Sequence, residues 1–248
     1  MGKQILFLSI ILCMAVSSIA YAGEFGYPEP TAKEESLAIT AGYFYHTAEW
    51  NPNDLVNFEK NKIRQNEAYL QVSYGFVKNW EVYLRAGGAD LKADNAFDGE
   101  SLGKGLLPFG TAGIKGIVYS NAGFAIGPFV QGTLASTYKD TETSLTTSTA
   151  VKYKRPWEVD AGVGLQLKRN DYILYGGPGV YWAQLKVDKE TTFLFLGTTT
   201  SVSTTYEEEG LIGGFAGVKI PLGKGLSIQV EAQQKSKFSI GGAVAYAF

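Results

Sequence analysis

The chain has 248 residues, with 22 basic and 24 acidic side chains, and a net charge of −2 excludes the basic footprint of a nucleic-acid binder. A single His and a single Cys exclude an intrachain disulfide and most metal sites made of imidazole and thiolate. Thirty Gly beside 15 Tyr and 14 Phe, with only 8 Pro, point to many strands and tight turns.

Residues 1–22 read as a secretory signal peptide. Met1-Gly2-Lys3 is a short basic start, an apolar run extends from Ile5 to Val16, and Ala20 and Ala22 form an A-x-A cleavage site. The run is shorter than the ~20 residues that a membrane-spanning helix needs. Leu12 stands where lipoprotein processing would require a small residue before Cys13, so Cys13 is expected to leave with the leader. The mature chain then starts at Gly23. Residues 23–35, with Pro28 and Pro30, read as an extended lead-in, and residues 36–248 as one domain.

That domain alternates with period two. Ten strands are expected, at 37–45, 68–76, 80–85, 112–119, 124–134, 157–168, 172–182, 212–220, 226–233 and 238–248. The clearest sets Trp157, Val159, Ala161, Val163, Leu165 and Leu167 against Glu158, Asp160, Gly162, Gly164, Gln166 and Lys168. Short links at 77–79, 120–123, 169–171 and 221–225 alternate with long polar connectors at about 47–64, 89–106, 136–155 and 186–208. A soluble sandwich has no reason to sort its connectors so; a transmembrane barrel does. A lipocalin-type barrel, with its apolar face inward, is the alternative. Aromatic placement favours the membrane: Tyr43, Tyr45, Trp157, Trp182 and Phe238 fall at the long-loop end. Phe76, Trp80, Phe124, Tyr172 and Phe248 fall at the short-turn end, giving two girdles.

The glycine-proline pairs Gly127-Pro128 and Gly177-Pro178 sit inside expected strands, and bulges are expected there because Pro lacks a ladder donor. In the loops, 141–149 and 198–205 are almost all Thr and Ser, and read as exposed hairpins that continue the strands. Phe193-Leu194-Phe195-Leu196 is an apolar patch, either a partner contact or a cover packed over the barrel mouth.

The last strand places Phe238, Ile240, Val244, Tyr246 and the terminal Phe248 on one face. This resembles the final strand of Gram-negative outer-membrane β-barrel proteins, nearest in feel to the small OmpA- and opacity-type barrels, from whose eight strands ten would depart. The resemblance implies a closed antiparallel up-and-down barrel with short periplasmic turns and long extracellular loops, exported to the outer membrane. It further implies that Tyr246 and Phe248 form the signal read by the barrel assembly machinery. Expected partners are that machinery, outer-membrane lipid and lipopolysaccharide, with no nucleic acid and a monomeric state.

The inward face carries Glu67, Glu81, Glu158, Asp160 and Glu231 against Arg85, Lys115, Lys168, Lys219 and Lys235. Opposite charges in a narrow lumen pair, because a lone one loses its hydration. About ten strands lie near the size at which side chains fill the interior. A mostly plugged polar lumen and a structural or surface-interaction role are therefore expected, with a small porin passing ions or small solutes as the alternative and an outer-membrane enzyme as a less favoured one. Inward glycines such as Gly162, Gly164, Gly213, Gly217 and Gly241 relieve crowding, or leave a thin water path. No catalytic residue, cofactor or metal is expected. The lone His46 reads as a rim residue, Glu158 and Asp160 as lumen wall, and Glu207-Glu208-Glu209 as a solvated loop base.

Overall fold

The computed structural model describes residues 24–53, 60–97, 100–102 and 105–248, so the expected leader and its cut before Gly23 lie outside the described residues. The described chain forms fifteen strands: β1 (Leu37–Pro52), β2 (Asn61–Val77), β3 (Trp80–Ala89), β4 (Lys92–Phe97), β5 (Glu100–Leu102), β6 (Leu107–Gly116), β7 (Tyr119–Asn121), β8 (Phe124–Ala135), β9 (Tyr138–Thr143), β10 (Thr147–Arg169), β11 (Tyr172–Phe193), β12 (Thr198–Glu208), β13 (Ile212–Gly223), β14 (Leu226–Gln234) and β15 (Phe238–Ala247).

Ten of them pair into one antiparallel ring, in the order β1-β2-β3-β6-β8-β10-β11-β13-β14-β15. The ring closes on itself, because β1 pairs β2 on one side (Thr40↔Gln71) and β15 on the other (Thr40↔Ala245). A closed ring leaves no unpaired edge, the condition for crossing lipid with strands. Each of the ten expected strands has its counterpart in this ring. The other five lie beside it: β4 and β5 extend from β2, β7 pairs β8, and β9 and β12 flank β10 and β11.

Side-chain facing follows the period of two. Leu165 is 40% exposed, whereas Gln166 beside it is 5%. Leu70, Val72, Leu84, Val130, Leu174, Ile228 and Val244 likewise point outward as an aliphatic belt. Tyr43, Trp157, Trp182 and Phe238 edge this belt at one end, and Phe76, Tyr172 and Phe248 at the other. Tyr45, Trp80 and Phe124 are half-buried at the same two levels.

Beyond the long-loop edge of the belt the sense of the alternation inverts. Along β1 the outward residues change from Leu37, Ile39, Tyr43 and Tyr45 to Thr47, Glu49 and Asn51, while Ala48 and Trp50 turn inward. Along β11 they change after Trp182 to Gln184, Lys186 and Asp188, with Leu185 and Val187 inward. Inside the belt the outer medium is hydrocarbon; above it the outer medium is water, so apolar side chains move to the interior. They gather there as an upper core of Trp50, Ile63, Leu91, Tyr138, Val151, Tyr153, Leu185 and Tyr206.

The connectors expected at 136–155 and 186–208 are mostly strand. β10 has 23 residues and β11 has 22. At about 3.4 Å per residue these reach about 75 Å, far more than an apolar band about 25 Å tall requires even when tilted. Thr and Ser continue them as a projecting sheet with β9 and β12. The bulges are not where the glycine-proline pairs were expected to place them. Registers run through Val163↔Pro128 and Pro178↔Gly214 without a shift. Shifts occur instead beside Pro156 (between Lys154 and Trp157), between Gly75 and Val77, and between Pro221 and Gly223.

Candidate functional site

The interior is where polar side chains, aromatic rings and one unpaired piece of chain meet. Residues 24–32 do not lie along the barrel's outside; only 33–35 are exposed, at the short-turn end. Glu34 makes a parallel bridge with Gly75 at the short-turn end, and from there the segment runs up inside the ring toward Glu24. Glu24, Phe25, Tyr27 and Ala32 are all buried. The lead-in expected from the sequence is thus a plug.

Lumen side chains satisfy the backbone of this plug, which has no strand neighbour of its own for most of its length. The Glu231 carboxylate accepts hydrogen bonds from the N–H groups of Phe25 and Gly26, both at 2.8 Å. Glu81 Oε2 accepts from Thr31 N at 2.6 Å and Ala32 N at 3.0 Å. Glu29 and Gln166 bond reciprocally, Glu29 N to Gln166 Oε1 at 3.1 Å and Gln166 Nε2 to Glu29 Oε2 at 3.2 Å. Arg85 Nη2 donates to the Glu24 carbonyl at 2.9 Å, and Lys115 Nζ donates to that of Tyr27 at 3.0 Å.

Two rings anchor the plug. Phe25 stacks on Phe129 (centroids 4.7 Å apart) and meets Phe215 edge-on at 5.2 Å. Tyr27 lies beneath two cations, Lys219 Nζ at 4.0 Å and Lys115 Nζ at 4.5 Å from its centroid, and beside Tyr175. Lys115 also pairs with Glu81 at 3.4 Å. Pro28 faces Gly164, where a Cβ would stand 2.7 Å from the Pro28 Cγ.

Glycine elsewhere in the lumen makes room for rings on neighbouring strands. Tyr69 lies over Gly42, Tyr83 over Gly113, Tyr175 over Gly217, Phe129 over Gly162 and Phe44 over Gly241, each where a Cβ would collide. Of the glycines expected to relieve crowding or leave a thin water path, Gly162, Gly217 and Gly241 lie under these rings, whereas Gly164 meets Pro28 and Gly213 meets the Gln234 backbone.

Above the plug, Lys235 Nζ bridges Glu158 and Asp160, 2.7 Å from Asp160 Oδ1. Gln131 links Asp160 to Tyr83, through Gln131 Nε2 to Asp160 Oδ2 at 3.0 Å and Tyr83 OH to Gln131 Oε1 at 2.9 Å. The two carboxylates singled out in the sequence therefore share one ammonium. His46 is not a rim residue: it is buried and inward-facing, with Nδ1 2.9 Å from Ser239 Oγ. Its even-numbered place on β1, in step with Thr40 and Phe44, already assigned it the inner face. Lys168 stays exposed at the short-turn rim, outside the network.

Glu67 stands apart. It is fully buried, and neither carboxylate oxygen has a hydrogen-bond partner; Glu24 Oε1 is also bare. Among the described residues the buried acids are Glu24, Glu67, Glu81, Glu158, Asp160, Glu208 and Glu231, against the buried bases Arg85, Lys115 and Lys235. Lys219, half-buried, adds one cation at the plug. Among the described residues no cluster of His, Cys, Asp and Glu is arranged to hold a metal ion.

No family model matches the chain, and no curated protein does. Solved structures do. The translocator domain of the autotransporter NalP from Neisseria meningitidis aligns with a TM-score of 0.52 at 11% identity, covering 88% of this chain and 90% of that one. The β-domain of the Bordetella autotransporter BrkA gives 0.41 at 14% identity, over 86% of this chain and 100% of the other. The outer membrane protein OprG from Pseudomonas aeruginosa gives 0.38 at 10% identity, over 89% and 100%. At these identities the likeness bears on fold alone. The ten-strand ring, its apolar belt and the NalP alignment together establish that this chain has the antiparallel transmembrane barrel fold of the Gram-negative outer-membrane β-barrel proteins.

Proposed function

We propose that the protein is a closed outer-membrane barrel whose role is structural or surface-interacting, reaching its site through export and removal of residues 1–22. The hydrogen-bonded plug carries this reading. Glu231, Glu81 and Gln166 hold it at successive levels, and Phe25 and Tyr27 fill the width between opposite walls. Among the described residues, a lumen so occupied leaves little room for a solute. The surface left for function is then the extracellular sheet β9–β12. Its β11–β12 tip carries Phe195 at 83% exposed, with Leu145 of the neighbouring tip beside it: Leu194 N donates to the Thr146 carbonyl at 2.8 Å. The apolar patch lies out on this tip rather than over the mouth of the barrel. Glu158 and Asp160, bridged by one lysine, serve as wall and not as a catalytic pair.

The competing reading is a small porin. Planar-bilayer recording of the refolded chain from Gly23 onward separates the two. Silence at moderate voltage is expected, and steady ohmic openings would replace the plugged reading with the porin. Nuclease-treated outer-membrane fractions should contain the protein, as a monomer by light scattering in detergent.

A further inference from the structure

The outward face of the projecting sheet β9–β11 carries an unbalanced group of cations just above the upper girdle. Lys154 on β10 stands directly opposite Lys186 on β11, and Lys152 stands directly opposite Lys139 on β9. Like charges in facing cross-strand positions repel and weaken the pairing. Two such pairs, side by side on one face, are a cost that the sheet carries as it stands. The far wall of the same rim is arranged otherwise. There Lys62 stands opposite Glu49, which also holds Lys237 at 2.7 Å, and Arg64 pairs with Asp94.

Carboxylates answer only part of the group. Asp188 pairs with Lys154, and Glu190 lies 3.5 Å from Lys152. Glu207, further along the face on β12, accepts from Gln184 Nε2 at 3.4 Å. Lys139, Arg155 and Lys186 are exposed, and among the described residues none of the three has a carboxylate in ion-pair reach. Arg155 is the extra residue of the bulge between Lys154 and Trp157, and its backbone is left-handed at φ 43°. A bulge re-aims a side chain, and strain of this kind clusters where a ligand is held.

Height and facing decide which anion can reach these cations. Trp157 and Trp182 lie on the same outward face, at the edge of the aliphatic belt. Lys186 is four residues beyond Trp182 on β11. That is about 13 Å along the strand, and about 10 Å in height at the tilt of a barrel strand. The outer limit of the headgroup layer lies there, and lysine stems are long enough to reach back into it. An occupant has to be anionic, to approach the wall from the lipid side, and to offer more than one negative charge. A phosphate group meets all three conditions when it is carried on a lipid.

We propose that Lys139, Arg155 and Lys186, with Lys152 and Lys154 between them, bind a phosphate-bearing lipid headgroup of the outer leaflet. The lipid's chains lie on the belt below Trp157 and Trp182. Its phosphate relieves the repulsion between the opposed lysines, so the bound lipid braces the root of the projecting sheet. This site is distinct from the apolar tip given a surface role above, and its failure leaves the plugged barrel untouched.

The test titrates the refolded barrel, in detergent, with diphosphoryl lipid A, with the same glycolipid after phosphatase treatment, and with inorganic pyrophosphate. Native mass spectrometry counts the bound complex. The phosphorylated glycolipid should bind at least about tenfold more tightly than its dephosphorylated form, since each basic side chain near an anionic lipid surface is worth about fivefold. A smaller difference would overturn the proposal. So would displacement of the glycolipid by pyrophosphate at comparable concentration, which assigns the cations to a free anion. Replacing the three cations that lack a carboxylate, by Lys139→Gln with Arg155→Gln and Lys186→Gln, should weaken the binding at least about tenfold. Lys62→Gln with Lys237→Gln, on the far wall, should leave it unchanged. A lesser loss in the first set, or an equal loss in both, would overturn the assignment. Should the triple variant fail to fold, amide exchange in the unsubstituted barrel gives the decision. The phosphorylated glycolipid should slow exchange around 150–156 and 184–188 and not around 61–66. Absent or uniform slowing counts against the site.

Discussion

At Gly164 the absence of a side chain is what admits the plug, since a Cβ there would meet Pro28 at 2.7 Å. Gly164→Val should therefore act on the plug and not on the ring. Overpacking of this kind costs about 1–3 kcal/mol, and the cheapest relief is to expel a segment held by side chains. We expect a barrel that still shows folded migration on unheated gels, but gains openings in planar bilayers; continued silence would mean that the wall yields instead. The neighbouring pair tests the facing of the wall. Leu165→Arg puts a charge into the lipid belt and should cost about 2–4 kcal/mol in urea titrations from thin bilayers. Gln166→Arg points at Glu29 and should cost less. The facing of both residues was legible, because period two needs only hydrophobicity. The role of Gly164 was not: the ring that fills the space beside a glycine comes from a strand, or from a plug, distant in sequence.

Among the elements, β10 and β11 show how far the alternation carries and where it misleads. Within the belt the rule of apolar outside and polar inside holds from Leu167 to Trp157. Above it the register shift between Lys154 and Trp157 turns the odd positions Tyr153 and Val151 inward, so a reading that expects one facing throughout assigns loops. On β11, which keeps its phase, only the outer medium changes. The Thr/Ser stretches were the remaining signal, and they do continue as hairpins. The projecting part of β11 holds Asp188, which accepts from Ser203 Oγ at 2.8 Å and pairs with Lys154. Partial burial pulls its carboxyl up, but the bonds from Lys154 and Ser203 and the charge of Lys186 prevail and hold it below the ordinary aspartate range. A depressed pKa means stability that is complete above the ordinary value and is lost as the pH falls through the lower, folded one. Acid should thus loosen the β11–β12 hairpin before the barrel, seen as faster amide exchange around 186–204 at strongly acid pH. Asp188→Asn should make that exchange insensitive to acid.

For the molecule as a whole, the terminal strand separates folding from delivery. Phe248 is 63% exposed and contacts Tyr246 edge-on at 5.0 Å, while its backbone N donates to Leu37 O across the closing seam. Deleting it forfeits at most a few kcal/mol of burial, so refolding in detergent should survive. If the resemblance of this strand to an assembly signal holds, the amount reaching the outer membrane in cells should nevertheless fall sharply, measured by blotting of membrane fractions. Normal levels would detach the terminus from targeting. The ring of ten was readable because each membrane strand repeats the same two-sided pattern. The plug was not, since residues 24–36 carry no period and owe their place to partners as far away as Glu231.

The plug is joined to the first strand of the ring by only the few residues between Ala32 and Leu37. It is a tethered ligand of the very lumen it fills. For so short a tether the local concentration is of millimolar order, so a displaced plug recaptures its site in preference to any dilute competitor. Openings should accordingly be brief and self-terminating. A free peptide copying residues 24–32 would compete for the lumen only when supplied at a comparable, millimolar level.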